Sequence, residues 1–301
     1  MVHRVRTLSL LLTAWAGLVA CGAPEPRAVG APPLVAPTKP VPSATAELAP
    51  IADAGAPQWP GPAPQLELGK PGALPDPAPH VEILFPFAEQ RILIPKAAGY
   101  TPRFAVEHWP LAADGASVMV ALDDARPQRL TTRPVSLGAL AGDGGAISAG
   151  PHWLFAFAAD ASGAIVRGAG ESRAPMAAVR FWVGDRDPKR VPGPRVMLAA
   201  PHGTFNGGAA ADALVVDFLA LPERSGVAGG AARVRLRGAG VDLSRDVEAW
   251  QPVIARALPS GDFEVEVQLL DQERRPLGEP GTKVKSTITV NRELEPSERG
   301  R

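Results

Sequence analysis

From residue 80 onward, short runs of Val, Ile, Leu and Phe alternate with polar residues, and clusters of Gly, Pro and Asp separate the runs. A period of two over four to eight residues is that of half-buried β-strands. No segment sustains a 3.6-residue period. The nearest, "SRDVEAWQPVIARAL" at 244–258, is interrupted by Pro252, which lacks the N–H a helix interior needs. The pattern predicts an all-β region.

That region aligns with itself. "RFAVEHWPL" (103–111) matches "ALVVDFLAL" (213–221), and "VMVAL" (118–122) matches "VRLRG" (234–238). "GPHWLFAFAAD" (150–160) matches "GDFEVEVQLLD" (261–271), and "VRFWV" (179–183) matches "STITV" (286–290). The offsets are 110, 116, 111 and 107 residues, so length differences fall between strands, where loops absorb them. Two copies of about a hundred residues make two similar domains rather than a solenoid of short repeats. Strands at this spacing, with turn signals between them, suggest β-sandwiches at 80–184 and 195–292. A short, charged connector at 185–194 joins them, and 293–301 is expected to be a disordered tail.

The second copy acts as an internal control for the first. In "DFEVEVQLL", Phe263, Val265, Val267 and Leu269 share one face, which must point into the sandwich. Glu264, Glu266 and Gln268 share the other. The same phase in the first copy turns His152, Leu154, Ala156 and Ala158 inward. It turns Trp153, Phe155 and Phe157 outward. Neighbouring strands add Met119, Arg180 and Trp182 to that face, where the second copy has Arg235, Thr287 and Thr289. A patch of this kind reaches several hundred Å2, about the largest a soluble monomer exposes. Two readings follow. The face is a recognition surface for a sugar ring, a hydrophobic peptide or a partner subunit. Alternatively it is covered within the chain by the second domain, the N-terminal segment or the 161–178 loop.

Residues 22–79 differ in kind. They hold sixteen of the 34 prolines and few large apolar residues, too little to form a core. The whole stretch 21–79 is expected to be a disordered, partly polyproline-II tether. Fully extended it would reach on the order of 180 Å.

Ahead of it, Arg4 and Arg6 precede an apolar run, "TLSLLLTAWAGLVA", that is short for a membrane span. Residues 1–20 therefore read as a signal peptide. "LVAC" (18–21), followed by Gly22, resembles the lipobox of bacterial lipoproteins. That resemblance implies cleavage before Cys21, acylation of Cys21, and anchorage in a lipid bilayer. The absence of Asp after the cysteine implies sorting to the outer membrane of a bacterial cell envelope. Cys21 is the chain's single cysteine, so no intrachain disulfide forms.

The phrase shared by Gly150, His152, Leu154 and Asp160 and by Gly261, Phe263, Val265 and Asp271 resembles the penultimate strand of immunoglobulin-like and fibronectin type III-like bacterial modules. The resemblance implies tandem immunoglobulin-like sandwiches and says almost nothing about function, because the fold hosts many.

Charge narrows the partners. The 31 basic residues balance 31 acidic ones, and each domain is balanced too, with no basic block. Nucleic acid is therefore not an expected partner. No Gly-x-Ser-x-Gly elbow, Walker loop or His-Glu-x-x-His motif is present. His108 and His152 stand where the second copy has Phe218 and Phe263, so both are expected to face inward at opposite sandwich ends. No cofactor, metal site or catalytic set is expected. Three functional classes stay open: a non-catalytic binding module using the aromatic face on an envelope protein or polysaccharide, a structural spacer or assembly subunit with that face buried, and an envelope enzyme.

Overall fold

The computed structural model describes residues 61–70, 74–111, 114–142, 144–167, 175–187, 193–221, 231–247 and 251–293. The signal peptide at 1–20, Cys21, most of the tether and the tail from residue 294 lie outside the described residues.

Among the described residues the strands run β1 (Gln65–Leu68), β2 (His80–Phe85), β3 (Arg91–Ile92), β4 (Arg103–Glu107), β5 (Ser117–Leu122), β6 (Gln128–Arg129), β7 (Gly150–Ala159) and β8 (Met176–Val183). They continue as β9 (Arg195–Ala200), β10 (Gly203–Asn206), β11 (Leu214–Leu221), β12 (Ala232–Gly238), β13 (Val241–Val247), β14 (Val253–Arg256), β15 (Gly261–Leu269) and β16 (Lys283–Asn291). The fold is all-β. No helix among the described residues is long and apolar enough to cross a membrane.

The strands form two sandwiches of the immunoglobulin-like kind. In the first, the sheet β3-β8-β7-β5-β6 faces the pair β2-β4. In the second, β10-β16-β15-β12-β13 faces β9-β11-β14-β1. The four matched segments fall on β4 and β11, β5 and β12, β7 and β15, β8 and β16. A short parallel strand repeats as well, β3 beside β8 and β10 beside β16.

Alternation sets each core as expected. Leu154, Ala156 and Ala158 of β7 join Val118, Val120 and Phe181 inside the first sandwich. Phe263, Val265, Val267 and Leu269 of β15 join Val234, Leu236 and Ile288 inside the second.

Two features depart from the sequence reading. The first concerns the tether, expected to be disordered over 21–79. Residues 65–68 form β1 and pair antiparallel with β14, with Leu66 opposite Ala255. Leu66 is buried in the second core. The Gly69 N–H donates to the Pro252 carbonyl at 2.6 Å, and Arg245 Nη1 donates to the Leu66 carbonyl at 2.9 Å. Arg256 Nε lies 3.0 Å from Glu67 Oε2. The first sandwich is thus inserted, in sequence, between the edge strand and the body of the second.

The second departure is an asymmetry between copies. β11 is flanked by β9 and β14, but among the described residues β4 pairs with β2 alone. Across a groove from β4, residues 130–135 are irregular, and Pro134 has no N–H to give a ladder. A one-turn helix, Leu137–Leu140, follows it. The Ser136 hydroxyl caps this helix by accepting from the Ala139 N–H at 3.2 Å. Leu137 and Leu140 are buried in the first core in place of a strand's side chains.

Candidate interaction surface

On β7 the side chains of Trp153, Phe155 and Phe157 leave the first core, as the phase predicted. Phe155 and Phe157 do not reach water. Phe155, Phe157 and Ala121 have no exposed surface. They pack with Ile165 against Met197 and Ala199 of β9 and Leu219 of β11. Met119, Trp153, Met176, Ala178 and Leu221 lie half-buried around them. Trp153 stacks on Phe155, with ring centroids 6.2 Å apart.

The covering strands are also two-faced. Val196 and Leu198 of β9, and Val216 and Phe218 of β11, point into the second core, while Met197, Ala199 and Leu219 point out. Sheet therefore packs on sheet between the two sandwiches, and each large apolar side chain so buried contributes about 1.5–3 kcal/mol.

This corrects the reading of Met119, Trp153, Phe155, Phe157, Arg180 and Trp182 as an open binding face. The centre of that face is closed by the second sandwich. Its far side is closed differently, by a loop of the first sandwich. Trp182 is 2% exposed, and its indole Nε1 donates to Glu89 Oε2 at 3.0 Å. The Arg180 guanidinium lies 5.8 Å from the Trp182 ring, and its Nε donates to Glu89 Oε1 at 2.6 Å. Burial raises the Glu89 pKa, but the bonds from Trp182 and Arg180 and the charges of Arg180 and Arg186 outweigh it and hold the carboxyl below its ordinary value. Glu89 was not singled out by the sequence, and its role depends on a loop return that periodicity does not encode. Met197, Ala199 and Leu219 did leave a signal. "RVMLAA" and "FLAL" are apolar on both faces, as β7 is.

Two charged clusters flank the apolar contact. The first is Arg167 with Asp217, whose side chains are 7% and 1% exposed. Arg167 Nη2 donates to Asp217 Oδ1 and, at 2.8 Å, to the Phe218 carbonyl. Asp217 Oδ2 accepts from the Ile165 N–H at 2.8 Å, and Oδ1 accepts from the Phe218 N–H at 2.9 Å. Asp217 sits at a register shift between β11 and β9, where a bulge re-aims a side chain. Burial pushes its carboxyl above the ordinary range, opposed by the Arg167 charge and by these N–H donors.

The second cluster centres on His152, which is inward-facing and stacked on Phe181 at 5.7 Å. Its Nδ1 lies 2.6 Å from Asp123 Oδ2, and its Nε2 lies 2.8 Å from the Ser148 carbonyl. Both partners are acceptors, so the doubly protonated ring satisfies both. Burial opposes that charge. The bond and charge of Asp123 and the Ser148 carbonyl prevail over it, and over Arg195, so the His152 pKa is raised. Asp123 Oδ1 accepts from the Trp153 N–H at 2.8 Å. Arg195 of β9 reaches across from the second sandwich to Asp124 Oδ1 at 2.9 Å and Asp123 Oδ1 at 3.5 Å.

His108, expected to face inward, is exposed at a left-handed turn with φ 58°. Among the described residues no group of three or more His, Cys, Asp or Glu side chains is placed to hold a metal ion.

A groove of about 620 Å3 opens elsewhere, on the first sandwich, between β4 and residues 130–135. Its walls carry Phe104, Val106, Leu130 and Val135, with Arg103 and Arg133 beside them.

No protein-family model matches the chain, and no curated protein matches it. Among solved structures it is similar to fibronectin(III)-like modules of CbhA from Clostridium thermocellum, at 17% identity and a TM-score of 0.27, over 73% of this chain and 100% of that one. It is also similar to a 1.5-MDa bacterial ice-binding adhesin, at 16% identity and a TM-score of 0.21, over 71% of this chain and 65% of that one. Drosophila N-cadherin EC1-3 matches at 11% identity and a TM-score of 0.25, over 71% and 67%. At these scores the fold rests on the strand pairing described above, and the likenesses carry nothing about function.

Arg167→Met leaves the Asp217 carboxylate buried without its cation and is expected to cost about 3–5 kcal/mol in urea denaturation. The double variant Arg167→Met/Asp217→Leu is expected to recover most of that loss. For His152 the raised pKa fixes the sign. Its contribution is fully present below the ordinary histidine value of about 6.5 and is lost as pH rises through the raised value. The stability difference between the native chain and Asp123→Asn should therefore shrink as pH rises from about 6 to 9.

Proposed function

We propose that the chain is a non-catalytic, lipid-anchored module of a bacterial cell envelope, in which two immunoglobulin-like sandwiches act as one body that spaces or assembles partners. The observation that carries this reading is the closure of the aromatic face. Phe155 and Phe157, the best candidates for ligand capture, are used to join the first sandwich to the second. An aromatic strip spent in this way supports a scaffold over a sugar- or peptide-capturing face. The inward-turned His152, with both ring nitrogens occupied, supports a structural role over a catalytic one.

The anchor rests on the sequence alone. "LVAC" with Gly22 supports acylation at Cys21 and retention in the outer membrane, and the Pro-rich stretch after it supports display of the sandwiches away from the lipid. The partners this reading allows are an envelope protein or a polysaccharide, met through surfaces other than the aromatic face.

Fractionation and calorimetry test the two halves separately. Native chain expressed in a bacterium should take up labelled palmitate and pellet with membranes, and Cys21→Ser should lose the label and appear in the soluble fraction. Continued membrane retention of Cys21→Ser would overturn the anchor. The native chain should unfold in a single transition, and Phe157→Glu, which places a charge in the joint, should split it in two. Two transitions in the native chain would overturn the one-body scaffold.

A further inference from the structure

We propose that the free edge of β4 is a docking site for an extended segment of a partner protein, apolar at alternate residues and acidic at its flanks, which adds to the first sandwich as a strand. The argument starts from the chain's own second copy. There, Leu214, Val215 and Val216 of β11 pair antiparallel with Ala255, Ile254 and Val253 of β14. The repeat aligns those three β11 residues with Phe104, Ala105 and Val106 of β4. In the first copy one edge of these residues is taken by β2, and no strand among the described residues pairs with the other.

A strand edge with unmet N–H and C=O groups is a template for another chain. What lies beside this one is the groove of about 620 Å3. No β2 residue lines it, so it is on the open side. Phe104 and Val106, which pack against the first core, form one wall, and Leu130 and Val135 line it opposite.

The chemistry of the occupant follows from the same comparison. In β14, Val253 and Ala255 have no exposed surface, so a strand in this position buries alternate side chains. The groove therefore needs apolar residues at every second position. Its walls carry Arg103 and Arg133, both exposed, and no carboxylate. Arg103 is held over the Phe85 ring at 5.7 Å. This electrostatic lining favours acidic flanks and disfavours basic ones. β1 shows that this fold accepts such an addition, because it extends the corresponding sheet of the second sandwich through four residues and buries Leu66 among them.

The test uses the full chain and a fluorescent peptide, acetyl-Asp-Val-Thr-Val-Thr-Val-Glu-amide, read by anisotropy and by amide exchange. A second peptide of the same sequence is N-methylated at alternate residues, which keeps its charge and side chains but removes the N–H donors along one edge. The first peptide should bind and slow exchange at those amides of Phe104–Val106 that point away from β2. Alternate N-methylation should weaken binding at least about tenfold, and Arg133→Glu, a change at an exposed position, should weaken it about tenfold. Equal binding of the two peptides, or no slowing at Phe104–Val106, would overturn the proposal. So would protection, in the chain without peptide, of those amides that point away from β2, since the free edge would then be occupied from within. These outcomes leave the joint between the sandwiches untouched, so the edge site and the scaffold reading fail separately.

Discussion

A β-sheet that is apolar on both faces has to be covered twice, and this constraint organises the chain. β7 gives one face to the core of its own sandwich and the other to β9 and β11, which carry the same double burden. Neither sandwich can meet that demand alone. The sheets meet with aromatic side chains on one side and Met, Ala and Leu on the other, a pairing of large with small that lets layers interlock. Apolar contact of this kind is strong but not directional. Direction comes from the charged clusters that flank the contact. Arg167 with Asp217, and Arg195 with Asp123 and Asp124, connect the two sandwiches by bonds that a slipped arrangement would break.

The second sandwich shows what the same sheet looks like when none of the described residues closes it over. On β12, β15 and β16 the corresponding face carries Arg235 and Arg237 opposite Glu266 and Glu264, with Lys285 bridging both glutamates. Cross-strand pairs of this sort are worth little each in water, but they keep the face soluble. The two copies share the order of their five-stranded sheet and differ in whether its outer face is apolar or charged. The first exposes its polar surface elsewhere and uses this face as a joint.

The strands, the two copies and the inward or outward sense of Trp153, Phe155 and Phe157 were all legible, because a period of two is written locally. What covers those residues was not legible from β7 alone, since it lies about forty to sixty residues further on. The comparison that found the aromatic face, extended to β9 and β11, would have found its partner, because "RVMLAA" breaks the same alternation. β1 was hidden for another reason. Four residues between Pro64 and Gly69 carry too little pattern to stand out from a proline-rich background. The missing neighbour of β4 was legible only in outline, through Pro134, and its meaning depends on seeing β14 in the other copy.

The insertion of one sandwich between β1 and β9 has a consequence for the order of events in a newly made chain. Leu68 and Val253 pair across 185 intervening steps of sequence, so at ordinary rates of synthesis β1 waits roughly 10–40 s for its partner. The first sandwich closes from contacts within its own stretch and needs no such delay. β1 can settle only after residue 256 has been added, when the sheet it completes is present. Its docking is therefore a check on the whole chain, made by a segment that lies nearly two hundred residues before the part it inspects.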